Sequence, residues 1–259
     1  MNPDALVLQE MDPRGVVRLT LNRPQAFNAL SEGMLEALQA ALDGLMNDER
    51  ARVVVIAAAG KAFCAGHDLK EMRAAPSLEY YERLFGECGR VMKSIQALPM
   101  PVIARVHGIA TAAGCQLVAA CDLAVASSEA RFAVSGVNLG LFCSAPSVPL
   151  SRNLGRKAAF EMLVTGEFIS AEEARGKGLV NRVAAPEALD AEVERLVASI
   201  IAKPRVAIAI GKALFYRQLE KPIDAAYDDG AKTMACNMMD EAALEGVQAF
   251  NEKRVPRWG

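Results

Sequence analysis

The spacing of hydrophobic and polar residues changes several times along this chain, and each change marks an element. Val16-Val17-Arg18-Leu19-Thr20-Leu21 reads as a strand ended by Asn22-Arg23-Pro24. Ser31 then stands before a stretch where Leu35, Leu38, Leu42 and Leu45 recur at helical spacing, which predicts a capped amphipathic helix. Val53-Val54-Val55-Ile56-Ala57 is apolar throughout and predicts a buried strand. A long helix is expected over 78–98, broken by Pro99 and Pro101 before a strand over 101–106. A short helix over 112–120 leads into a strand over 122–126.

Strand, turn and helix thus repeat in order, the pattern of an α/β layered domain. After Asn138 the pattern becomes helical, with helices expected over 145–154, 156–164 and 171–176. The last of these opens on the capping box Ser170-x-x-Glu173. From Glu187 onward no long strand is expected, and helices are predicted over 187–202, 204–219, 222–237 and 240–253. Met234, Met238 and Met239 gather there; a core face or an oligomer contact would explain them, and core is the commoner use.

Composition narrows the partners. The 259 residues carry a net charge of −2, so no global basic field recruits nucleic acid, and four Tyr and one Trp offer few rings for stacking bases. No apolar run approaches the roughly 20 residues of a membrane span. Residues 1–11 lack a basic segment followed by an apolar one. The chain reads as cytoplasmic, with neither a nucleic acid nor a membrane as partner. Its six Cys show no C-x-x-C spacing and read as reduced, mostly buried thiols. With only two His, neither spaced with cysteines as ligands are, no metal is expected.

The candidate chemistry lies at two strand-to-helix corners. Gly60-Lys61-Ala62-Phe63-Cys64-Ala65-Gly66-His67-Asp68-Leu69-Lys70 follows the strand over 53–57. His107-Gly108-Ile109-Ala110-Thr111-Ala112-Ala113-Gly114-Cys115 follows the strand over 101–106. Neither fits a phosphate loop of the G-x-x-x-x-G-K-[ST] or G-x-G-x-x-G kind. Small residues in a tight turn leave backbone N–H groups uncovered, and a helix N-terminus adds positive partial charge. Two such corners can aim two N–H groups at one oxygen, the geometry of an oxyanion hole.

These residues resemble the crotonase superfamily, which includes enoyl-CoA hydratases and isomerases. The likeness runs through Asn22-Arg23-Pro24 and Asn28-Ala29-Leu30, Ala62 to Leu69, His107-Gly108 with Ala113-Gly114 and Cys121-Asp122. It continues in Leu163-x-Thr165-Gly166, Ala171 with Ala174-x-x-x-Gly178-Leu179-Val180, and Phe250-x-x-Lys253-Arg254. Three local patterns, Gly66 to Lys70, Ala110 to Leu117 and Gly140 to Ser144, look most like the enoyl-CoA hydratase domain-containing protein 3 group. The resemblance implies a fold of repeated β-β-α units over 1–200 and a helical region over 201–259 that trimerises, with a dimer of trimers as an extension. It implies an acyl-CoA ligand, coenzyme A entering as part of the substrate and no permanently bound cofactor. The oxyanion N–H groups map to the backbone of His67 and of Ala113, where Ala replaces the usual Gly. Phe27, Ala29, Ala65, Gly66, Asp68, Leu69, Gly114 and Phe250 map to the acyl-CoA site. Lys70 and Lys253 map to partners of the CoA phosphates, Lys253 toward a neighbouring subunit.

The chain departs from the family where hydratases carry two catalytic Glu: the first position is Gln116 and the second is Gly136. General acid–base help is worth about 10²–10⁴-fold, so ordinary hydration is not expected, nor isomerisation that depends on the second Glu. Ser144 falls where related chlorobenzoyl-CoA dehalogenases place an aspartate nucleophile, but serine without a base is a weak nucleophile and a turn role suits it better. Cys143 reads as a buried thiol. The His67 imidazole is the best titratable group beside the pocket, Asp68 reads as a cap for the following helix, and His107 as a strand-end histidine. Three readings follow. The chain binds an acyl-CoA and polarises its thioester carbonyl in fatty-acid or acyl-CoA metabolism; it is a non-catalytic acyl-CoA carrier; or it runs other chemistry, such as thioester hydrolysis.

Overall fold

The computed structural model describes residues 4–74 and 76–258, so residues 1–3 of the leading stretch considered above lie outside the described residues. Strands β1 (Val7–Met11) and β2 (Val16–Leu21) precede helix α1 (Glu32–Leu45). Strands β3 (Val53–Ala58) and β4 (Ala62–Cys64) lead into α2 (Leu69–Ala74) and α3 (Leu78–Ala97). The order returns in β5 (Val102–Val106), β6 (Ile109–Thr111) and α4 (Ala113–Ala120). It returns again in β7 (Leu123–Ser127), β8 (Arg131–Ala133) and, past a single 3-10 turn, α5 (Ser144–Asn153). Next come α6 (Arg156–Thr165), β9 (Ile169–Ser170), α7 (Ala171–Lys177), β10 (Arg182–Ala184) and α8 (Leu189–Ile201). The chain ends in α9 (Arg205–Gln218), α10 (Ile223–Met238) and α11 (Glu241–Asn251).

Two sheets share these strands. The larger runs β1-β2-β3-β5-β7-β10, parallel apart from the β1–β2 pair. The smaller runs β4-β6-β8-β9, and only its β8–β9 pair is antiparallel. Three passes of the chain, β3-β4, β5-β6 and β7-β8, each lay one strand in the large sheet and one short strand in the small sheet before the next helix. This is the β-β-α unit that the family resemblance implied.

The uniform apolar run of β3 has a direct cause. Val54 and Ile56 face a cluster shared with α1, α3 and α4, while Val53 and Val55 face Leu189, Val193 and Val197 of α8. Alternate side chains point to opposite faces, and here both faces are covered by helices. Ser31 caps α1 by accepting from the Met34 N–H at 3.2 Å, and the Ser170–Glu173 capping box starts α7. Strands β4 and β6, read from sequence as parts of turns, and β8 are three residues each. At that length periodicity carries no signal, and pairing with one another is what makes them strands.

The C-terminal helices sit differently. No residue of α9 or α10 is buried, and Ala249 is the sole buried residue of α11. Met234 and Met239 are 70% and 78% exposed, so the commoner reading of that methionine group as core is corrected: it lies outside the packed interior of this chain. One buried polar knot ties α9 down. Lys212 Nζ donates to Asp122 Oδ2 at 2.6 Å and to the carbonyls of Ile95 and Met100, and the Tyr216 hydroxyl donates to Asp122 Oδ1 at 2.7 Å. All three ammonium donors have acceptors, which offsets the cost of burying the charge.

Candidate functional site

The site is assembled by loops that cross from the large sheet to the small one. Asn28 is buried in a left-handed conformation (φ 54°) and staples the loop after β2 in place. Its Nδ2 donates to the carbonyls of Ala59 and Ala62 at 2.8 and 2.9 Å, and its Oδ1 accepts from the Arg23 N–H at 2.9 Å. Two residues on, the Leu30 N–H donates to the Gly66 carbonyl at 2.7 Å and the Asp68 N–H to the Leu30 carbonyl at 3.4 Å. This pair of bonds brackets His67 and leaves its own N–H outside the bridge.

Asp68 fixes the far side of that corner. Its Oδ1 accepts from the N–H groups of Lys70 and Glu71 at the start of α2, and its Oδ2 pairs with Arg23 at 2.7 Å. Burial acts to raise its pKa, but the Arg23 guanidinium and the two N–H groups hold the carboxyl below the ordinary value. Asp68 is thus the cap expected from sequence, and it does not line the cavity described below.

The second corner begins α4. Ala113 is the first helical residue, so its N–H has no acceptor within the helix, and the residue before it supplies no side-chain cap. That preceding residue, Ala112, holds φ 49° and ψ −119°, a conformation open to glycine and costly, about 1–3 kcal/mol, for a residue with a Cβ. The two corners press together. A Cβ on Gly114 would stand 2.1 Å from the Cys64 carbonyl oxygen, and one on Gly66 would stand 3.3 Å from the Ala113 nitrogen.

Between these corners and the loop over 135–146 lies a cavity of about 420 Å³. Ala65, His67, Leu69 and Ala113 line it from the corners, Met72 and Phe85 from α2 and α3, and Gly136, Leu141, Phe142, Ser144 and Pro146 from the opposite loop. No carboxylate and no Lys or Arg is among the lining residues. The polar residues in its lining are His67, Ser135, Cys143 and Ser144.

The His67 ring packs edge-on against Phe85 with centroids 5.3 Å apart, and its Nδ1 lies 3.4 Å from the Leu30 carbonyl oxygen. Burial lowers its pKa below the ordinary histidine value, and the Leu30 carbonyl only partly offsets this, so the ring is neutral at pH 7. Cys143 is buried and its thiol is pushed up by desolvation, as expected of a thiol acting as a small hydrophobe. Ser144 begins α5; its Oγ donates to the Phe142 carbonyl at 3.4 Å and has no base beside it. Ser135 shares a 2.8 Å hydrogen bond with Thr111.

The two positions that the family resemblance matches to catalytic Glu diverge. Gln116 is buried on α4, where its Oε1 lies 3.9 Å from the Cys88 thiol, and it is not among the lining residues. Gly136 does line the cavity, but a Cβ there would stand 2.5 Å from the Leu141 carbonyl oxygen and 2.7 Å from Cys143 Sγ. The loop occupies the space a longer side chain would need.

Other expected residues are scattered. Ala29 is buried, Phe27 is 56% exposed, and Gly66, Lys70 and Gly114 flank the corners without lining the cavity. Phe250 borders a separate shallow pocket with Pro204, Val247 and Trp258, and Lys253 follows α11 at φ 56°, so neither joins the cavity within one chain. Sequence reasoning missed Met72, Phe85, Ser135, Leu139 and the strained Ala112. The one available signal was the set of large apolar residues, Leu139, Leu141 and Phe142, inside a loop sequence. Among the described residues no three His, Cys, Asp or Glu gather to hold a metal, and no helix is long and apolar enough to cross a membrane.

Comparison with known proteins bears on this geometry. The family model described as enoyl-CoA hydratase/isomerase matches residues 12–259. The chain is 45% identical over 252 residues to the mitochondrial enoyl-CoA hydratase domain-containing protein 3 of Xenopus laevis, covering 97% of this chain and 85% of that one. A crystal structure of an enoyl-CoA hydratase from Mycobacterium smegmatis matches with a TM-score of 0.97 at 72% identity over 98% of each chain. The crystal structure of human enoyl-CoA hydratase domain-containing protein 3 matches with a TM-score of 0.94 at 42% identity, over 98% of this chain and 100% of that one.

Proposed function

Because the chain belongs to the enoyl-CoA hydratase/isomerase family, we propose that its cavity receives the acyl part of a coenzyme A thioester and polarises the thioester carbonyl. One observation carries this reading: two backbone corners with uncommitted N–H groups, at His67 and Ala113, border the same apolar cavity. The His67 and Ala113 N–H groups form the oxyanion hole, with the start of α4 adding its positive partial charge. Leu69, Met72 and Phe85 offer the acyl chain an apolar wall. Coenzyme A enters as part of the substrate, and Lys70 and Lys253 meet its phosphates, Lys253 from a neighbouring subunit. Phe27, Ala29, Ala65 and Phe250 belong to the same extended acyl-CoA site.

Ordinary enoyl-CoA hydration is outside this proposal. Water addition needs a proton donor and acceptor beside the double bond, and the cavity wall offers no carboxyl group. That same absence favours a second reading, a non-catalytic acyl-CoA carrier.

The proposal extends to assembly. The chain exposes Phe215, Ile223, Tyr227, Met234, Met239 and Leu244 on its C-terminal helices, and exposed apolar residues gathered in this way mark interaction surfaces. Helices over 201–259 cover this surface in a homotrimer, with a dimer of trimers as its extension. A cytoplasmic location completes the reading, and cell fractionation tests it against the mitochondrial designation of the Xenopus relative.

The test is a titration of the purified protein with crotonyl-CoA and decanoyl-CoA, followed by hydration assays that track loss of the conjugated thioester absorbance. Saturable binding with hydration at least about 10²-fold below an ordinary hydratase supports the reading. Absence of binding by either thioester sinks it. Turnover of about 10 s⁻¹ would mean that an acid–base pair operates where none is proposed.

A further inference from the structure

A polarised thioester carbonyl acidifies the carbon beside it, and one residue of the cavity wall carries an uncommitted basic lone pair able to use that. Among the polar residues in the cavity lining, the Ser135 hydroxyl is engaged with Thr111, the Ser144 hydroxyl is turned to the Phe142 carbonyl, and burial keeps the Cys143 thiol protonated. The His67 ring is anchored on one side only. Its Nδ1 faces the Leu30 carbonyl, which sets Nδ1 as the proton-bearing nitrogen, and Phe85 fixes the ring plane from the side. Nε2 is then an acceptor. No described residue bonds it and it is not among the buried polar atoms left without a partner, so it keeps accessible surface on a residue that lines the cavity.

We propose that His67 acts twice on one ligand: its backbone N–H holds the thioester oxygen, and its Nε2 removes a proton from the carbon next to the carbonyl of a saturated acyl-CoA. The inference rests on the acyl-CoA reading above and adds an activity to it. In the forward step the Cα–H bond breaks and its proton goes to Nε2. The electron pair forms the Cα=C bond of an enolate, and the carbonyl pair moves onto the oxygen between the His67 and Ala113 N–H groups. The imidazolium exchanges its proton with solvent and returns one to Cα, which restores the thioester and the neutral ring. Nothing is oxidised, reduced or consumed, so the reaction appears only as exchange of the α-hydrogen with solvent. Such a base needs no carboxylate, so the replacement of both Glu does not bear on it.

The experiment incubates the full chain with butyryl-CoA and octanoyl-CoA in D₂O. Calorimetry measures binding, and NMR measures deuterium at Cα. The wild type is expected to bind and to exchange. His67→Gln and His67→Asn keep the backbone N–H, so they are expected to bind while losing exchange by about 10²–10⁴-fold. Should a variant unfold, a His107→Gln background leaves His67 as the remaining histidine. Exchange must then stop on treatment with diethyl pyrocarbonate and return with hydroxylamine. Binding without exchange in the wild type overturns the inference and leaves acyl-CoA binding intact. Exchange that survives both substitutions, or survives carbethoxylation, also overturns it by placing the base elsewhere. No binding by the wild type overturns the acyl-CoA reading and this inference with it.

Discussion

The two walls of the cavity are made of different material. The corner wall at Gly66-His67 and Ala113-Gly114 works through backbone, with glycines packed so closely that Gly114 would meet the Cys64 carbonyl if it carried a Cβ. The facing wall over 135–146 works through side chains, and there the loop has closed over Gly136 and a carboxylate is missing. Backbone chemistry depends on the shape of the turn rather than on a particular side chain, and the Ala113 N–H has no acceptor within the helix. Side-chain chemistry is lost with a single replacement. The contrast is between a wall whose exposed chemistry is backbone N–H groups and a wall that offers no carboxyl group.

Loading the corner wall breaks the contrast most severely. Gly114→Val puts carbon atoms into the Cys64 backbone, and overpacking of this kind costs about 3 kcal/mol or more. For a chain of this size the melting temperature is expected to fall by roughly 10 °C, with thioester binding lost, read by calorimetry on the same samples. The facing wall should respond less and in a different way. Gly136→Glu meets the Leu141 carbonyl and Cys143 and is expected to cost about 2 kcal/mol. Combined with Gln116→Glu it should still fail to hydrate crotonyl-CoA, because the first carboxyl is buried away from the cavity and the second has no room. Hydration at the rate of an ordinary family member by that double variant would show the loop to be yielding.

Ala112→Gly sharpens the comparison from the other direction. Relief of a positive φ outweighs the added chain entropy of glycine, and a gain of about 1 kcal/mol is expected in urea unfolding with binding unchanged. The smallest effect is on pH dependence. His67 and His107 both have pKa values lowered by burial relative to the ordinary 6.5. The unfolded chain therefore takes up protons at these residues first as the pH falls. Their contribution to stability is flat above about pH 7 and declines as pH drops through 6.5 toward the lower folded values. His67→Gln should flatten its share of that slope in melting curves taken between pH 7.5 and 5; an unchanged slope would mean that the ring is not desolvated.

Much of the frame could be read from sequence because it rests on local physics. Ser31, the leucine spacing of α1, the proline break after α3 and the Ser170–Glu173 box each work within a few residues. The two backbone corners were legible as runs of small residues at like places in successive units. The small sheet was not, since three-residue strands hold together by pairing with partners dozens of residues away. Nor was the strain at Ala112, because nothing in the residue itself announces a positive φ. Phe85 and Met72 escaped notice because core-like residues on amphipathic helices give no hint of which cavity they will face.

The sequence alone determined the order of elements, the buried central strand, the two corners and the lack of Glu at positions 116 and 136. Each is a property of residue type and spacing along a short stretch. Tertiary structure decided that Gln116 turns into the interior, that the Leu141–Cys143 segment fills the space beside Gly136, and that the His67 ring sets Nδ1 against the Leu30 carbonyl and packs edge-on against Phe85. These outcomes depend on how distant segments pack, and close packing is set by volumes and directions that a linear pattern does not encode.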